Sequence, residues 1–76
     1  MQENNITNSI RTLRFLNNEM TQQDLAEKVG VTRQTIMSME KGKYSPTLEL
    51  AFKIAEVFNK NLADIFTYKK QENKKG

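Results

Sequence analysis

The chain has 76 residues, enough for one small domain, and 12 Lys and Arg against 9 Asp and Glu leave a formal net charge of +3. It contains no cysteine and no histidine, which excludes disulfide support and the usual zinc ligand sets. No stretch approaches the ~20 apolar residues of a membrane span, and the polar start Met1-Gln2-Glu3 lacks a signal core, so a cytoplasmic protein with no membrane partner is expected.

Residues 1–8 read as an N-terminal arm or short strand, 9–68 as the domain, and 69–76 as a lysine-rich flexible tail. A first helix is expected from about Ser9 to Asn17, capped by Asn8 or Thr7, with Ile10, Leu13 and Leu16 at helical spacing. Thr21 opens the second helix as N-cap, with Asp24 three residues later as in a capping box. Leu25, Ala26 and Val29 form its apolar face. Gly30 ends it, because glycine takes the left-handed conformation without steric cost. Val31 points inward, and Thr32 caps a third helix from Arg33 to about Lys41, stopped by Gly42. After the loop around Pro46, Thr47 caps a fourth helix from Leu48 to Phe58. A short fifth helix from Leu62 to Phe66 and a brief strand at Thr67-Tyr68-Lys69 follow. The expected fold is all-α: five helices, with a small terminal antiparallel strand pair.

The function lies in residues 21–43, where two short capped helices meet at a turn centred on Gly30. A helix-turn-helix needs this arrangement, because the turn fixes the angle at which the second helix enters the DNA major groove. In projection at 100° per residue, Ile36 and Met39 face the core with Thr32 and Glu40. The opposite side carries Gln34, Met37, Ser38 and Lys41, with Arg33 at the leading turn. Glutamine matches the adenine edge and arginine the guanine edge. Arg33 suits either a guanine or a phosphate, and Met37 reads as an exposed filler. The free N–H groups at Thr21-Gln22-Gln23 form an anion site. Lys41, Lys43 and Tyr44 are placed to grip the backbone, although cations at a helix end are favourable in any case.

The pattern TQxxLAxxxGVTRQTIxxxExGKYxPxLxxAxxIA over residues 21–55 resembles the phage-repressor and Cro type of helix-turn-helix family, which includes the lambda repressor. Segments KYSPTLELAFKIAEVFN and LADIFTY are similar to short dimeric regulators of the enterococcal cytolysin-operon repressor kind. The resemblance implies base reading by Arg33, Gln34, Thr35 and Ser38. It implies phosphate contacts by Gln22, Lys41 and Lys43, to which the residues themselves add Thr21 and Tyr44, and a buried ion pair between Arg14 and Glu40. It also implies a homodimer on an inverted-repeat operator, with Asn4-Asn5-Ile6 and Phe66-Thr67-Tyr68 forming a small sheet. The link from Arg14 to Thr21 is one residue longer than in the phage repressors.

Leu48, Ala51, Phe52, Ala55 and Phe58 share one face of the fourth helix and are expected in the core. Leu50, Ile54 and Val57 lie toward the other side, a second apolar stripe that needs cover. Helix five covers part of it, and a second copy is the natural occupant of the rest. The expected dimer interface is therefore Leu50, Ile54, Val57, Ile65, Phe66 and Tyr68. Catalysis is not expected: there is no glycine-rich phosphate loop and no carboxylate pair in an apparent pocket. Neither a cofactor nor a small-molecule ligand is implied. The rival reading is an antitoxin-like module that binds a partner protein.

Overall fold

The computed structural model describes residues 5–69. Strand β1 (Ile6–Asn8) is followed by five helices and a closing strand: α1 (Ile10–Leu16), α2 (Gln22–Val29), α3 (Arg33–Glu40), α4 (Leu48–Phe58), α5 (Leu62–Ile65) and β2 (Phe66–Tyr68). Among the described residues, no helix is long and apolar enough to cross a membrane.

Local chemistry accounts for most helix ends. Thr21, Thr32 and Thr47 each have extended backbone, and each hydroxyl accepts the N–H of the third residue on. Such a cap satisfies a donor that the helix itself leaves without a partner. The C-termini of α3 and α4 close in the same way. Gly42 (φ 77°) and Asn59 (φ 55°) turn left-handed. The following N–H groups of Lys43 and Lys60 reach back to Ser38 O at 2.9 Å and Ala55 O at 3.0 Å. This is the Schellman pattern, open to glycine and asparagine because both tolerate positive φ. At Gly30 (φ 76°) the same device, with Val31 N–H on Ala26 O at 3.0 Å, makes the turn between α2 and α3.

The capping box at α2 sets a pH dependence. Asp24 accepts the Thr21 N–H at 3.1 Å, and this bond, followed by the Thr21 side chain, holds its carboxyl below the ordinary 3.8. A carboxylate with a folded pKa below its unfolded one adds stability above the unfolded value and loses it as pH falls through the folded one. Asp24→Asn is therefore expected to lower the melting temperature at neutral pH and to close the gap to wild type as pH falls below the ordinary carboxylate range, as followed by circular dichroism. A gap of constant size over that fall in pH would remove Asp24 from the acid response.

The longer link between α1 and α2 is accommodated by two consecutive left-handed residues, Asn18 (φ 58°) and Glu19 (φ 53°). Asparagine tolerates that conformation, whereas glutamate does so at a cost. Glu19 is exposed. Glu19→Gly is expected to stabilise the domain by about 0.5–1 kcal/mol, since relief of strain outweighs the added freedom of the unfolded chain. A lower urea midpoint would show that the side chain itself contributes.

The core joins Ile10, Leu25, Ala26, Val29, Ile36, Met39, Leu50, Ile54, Ala55 and Ile65. Each fully buried Ile or Leu contributes about 1.5–3 kcal/mol. Two expectations about facing are corrected here. On α4 the core takes Leu50, Ala51, Ile54 and Ala55, while Leu48 and Phe52 are 66% and 55% exposed. The inward face is thus turned by about 65° from the expected one. Leu50, Ile54 and Ile65 are consumed inside their own protomer, so they leave the set of residues free to meet a second copy. On α1, Leu16 is 70% exposed; at 100° per residue it lies about 120° from Ile10, and α1 ends there.

The chain ends pair as an antiparallel sheet, with Ile6 opposite Tyr68 and Asn8 opposite Phe66. The N-terminal strand is therefore Ile6–Asn8 rather than residues 4–6, and Asn4 lies outside the described residues. Phe66 belongs to β2, not to the fifth helix. Ser9 holds the cap position of α1 without a side-chain bond. The Asn8 side chain supplies it, accepting the Ile10 N–H at 3.1 Å and donating to Met39 O at 3.0 Å. One residue thereby joins β1, α1 and the end of α3. Most of the lysine-rich tail falls outside the described residues.

Candidate nucleic-acid interface

α3 is held by its apolar side. Ile36 and Met39 are fully buried, whereas Arg33, Gln34 and Lys41 are exposed and Thr35, Met37 and Ser38 half-buried. The Thr35 hydroxyl is shared with that of Thr32 at 3.0 Å, so it also serves the helix start. Gln34, Ser38 and Lys41 follow one another along the outward face. Lys43 stands just beyond, anchored through its N–H to Ser38 O at 2.9 Å, and Tyr44 is 40% exposed.

Glu40 ties this surface to the rest of the domain. Its carboxylate accepts Arg14 Nε at 2.7 Å, Arg14 Nη2 at 3.0 Å and Gln22 Nε2 at 3.1 Å. Arg14 also donates Nη1 to Met20 O at 2.9 Å. The side chains of Arg14 and Glu40 are only 13% and 9% exposed. A bidentate pair of this kind has both energy and a fixed geometry, and it links α1, the α1–α2 connection, α2 and α3. The pair inferred from resemblance is thus present in the structure.

At the start of α2 the Thr21 N–H is committed to Asp24 and the Thr21 hydroxyl to the Asp24 N–H. That leaves the Gln22 and Gln23 N–H groups without an intrahelical acceptor. An open concavity beside them is lined by Arg11, Arg14, Gln22, Gln23 and Arg33, among others. A neighbouring one is lined by Arg11, Gln22, Met37 and Lys41 with the Arg14–Glu40 pair and Asn8. The structure therefore brings together α2's first turn, α3's outward face and Arg11. Sequence reasoning passed over Arg11, although its position three residues before Arg14 places both on one side of α1. Among the described residues, no cluster of three or more acidic side chains is placed to hold a metal ion.

The helix-turn-helix family model matches residues 10–65. This chain belongs to that family. The regulator is 54% identical over 65 residues to an HTH-type transcriptional regulator of Methanocaldococcus jannaschii, covering 86% of this chain and 97% of the relative. It is 57% identical over 53 residues to one of Archaeoglobus fulgidus, covering 70% of this chain and 75% of that one. The solved P22 c2 repressor, in complex with a synthetic operator, superposes with a TM-score of 0.65 at 22% identity over 71% of this chain and 80% of the other. The fold is of the Cro/C1 repressor type. The protein is a DNA-binding transcriptional regulator, of a class that is not enzymatic.

Proposed function

We propose that this regulator is a cytoplasmic repressor that binds an inverted-repeat operator as a homodimer and blocks transcription by occupying the site. The observation that carries this reading is the outward face of α3, where Gln34, Ser38 and Lys41 lie exposed or half-exposed on a helix fixed by Ile36, Met39 and Glu40. In this reading Gln34 pairs with an adenine edge and Arg33 with a guanine or a phosphate. Ser38 and Thr35 complete the base contacts. Gln22, Lys41, Lys43, Tyr44 and the first turn of α2 at Thr21 hold phosphates, which position the protein without reading sequence. The similarity to an operator-bound repressor supports the docking mode.

The second copy covers apolar surface that the protomer leaves open. Leu48, Phe52 and Tyr68 are 66%, 55% and 64% exposed, and Val57 and Phe66 are half-buried. Leu48 and Phe52 join Val57, Phe66 and Tyr68 as interface residues in place of Leu50, Ile54 and Ile65. A two-fold dimer places its recognition helices about 34 Å apart, one turn of DNA. The deciding experiment is selection of bound duplexes from a random-sequence pool at moderate salt, with sedimentation of the complex. An enriched inverted repeat carrying two protomers is the expected result. A folded protein that enriches no sequence would shift the weight to a protein partner, and a single half-site with one protomer would remove the dimer.

A further inference from the structure

We infer that Arg11 is a phosphate-contacting residue of the DNA interface, joining the contact set at the start of α2 to the set at the end of α3. The inference rests on the DNA-binding reading and adds to it a residue on α1. Arg11 is exposed and forms no ion pair among the described residues. Its neighbour one turn along, Arg14, is different: its guanidinium is neutralised by Glu40 and turned into the protein. Of the two arginines on this side of α1, only Arg11 is therefore without a carboxylate partner among the described residues.

Its placement gives that charge a use. Arg11 lines both concavities beside the reading helix, one shared with Gln23, Arg33 and Glu19 and the other with Met37, Lys41 and the Arg14-paired Glu40. A strand passing from the first turn of α2 toward the end of α3 crosses in front of it. A guanidinium there meets a phosphate with two parallel donors. It brings no base discrimination, because phosphates carry no sequence information. Met37, otherwise unexplained, lies beside Arg11 as an apolar wall of the second concavity.

The test measures binding of full-length protein to the selected operator and to a random duplex, from 0.1 M to 1 M salt. One lost phosphate contact lowers the slope of log K against log salt by about 0.9. Arg11→Ala is therefore expected to weaken binding to both duplexes by about eightfold at 0.1 M salt, with the deficit vanishing near 1 M. Arg11→Lys keeps the wild-type slope, because the charge is retained. The melting temperature of Arg11→Ala stays near wild type, since an exposed side chain with no ion pair among the described residues is removed. An unchanged slope in Arg11→Ala, with wild type binding normally, overturns the inference and leaves the DNA reading standing. A loss confined to the operator also overturns it, by making Arg11 a base reader. Wild-type protein that binds neither duplex overturns the DNA reading, and this inference with it.

Discussion

Glu40→Ala is expected to destabilise the domain by about 3–5 kcal/mol, the usual result of removing one partner of a buried ion pair. The cost does not arise from lost attraction alone. Truncation leaves the Arg14 side chain, only 13% exposed, without the carboxylate that accepts two of its donors. Gln22 Nε2 loses its acceptor as well. A domain of this size is stable by roughly 4–11 kcal/mol at 0.05–0.15 kcal/mol per residue, so the loss is a large share of the total. The melting temperature should fall by roughly 12 °C or more. Replacing both partners, Arg14→Met with Glu40→Leu, should recover most of the stability, because an apolar pair of similar volume carries no uncompensated charge. A single Glu40→Ala variant within 1 kcal/mol of wild type in urea titration would show that water reaches the pair and that it behaves as a surface bridge.

Gln34→Ala is expected to leave stability within about 0.5 kcal/mol of wild type, since Gln34 is exposed on the outer face of α3. Its effect falls on recognition. A bidentate contact to adenine contributes about 1–3 kcal/mol of discrimination, so affinity for the selected operator should drop by roughly 5- to 150-fold. Affinity for random duplex should hold, because non-specific binding is carried by charge that Gln34 does not have. Competition of operator against random DNA reads the difference directly. An equal loss on both would place Gln34 among the phosphate contacts. A paired substitution in the operator that restores the variant's relative preference would identify the base pair it reads.

The ends of α2, α3 and α4 and the helix-turn-helix were determined by the sequence alone. Thr21, Thr32 and Thr47 act within three residues of themselves, and Gly30 and Gly42 need only their own φ. Capping and left-handed termination are local chemistry, so they are legible without a fold. The same holds for the inward Ile36 and Met39, because Met37 is the one apolar residue on the other side of α3. The core face of α4 was decided by the tertiary structure. LELAFKIAEVF is apolar around much of its circumference, so two stripes compete, and only packing against α2 and α5 selects Leu50 and Ile54 over Leu48 and Phe52. The pairing of Ile6–Asn8 with Phe66–Tyr68, the double role of Asn8 and the outward charge of Arg11 likewise depend on residues far apart in the chain. Periodicity shows that a surface must be buried, but the neighbour that buries it exists only once the chain has folded.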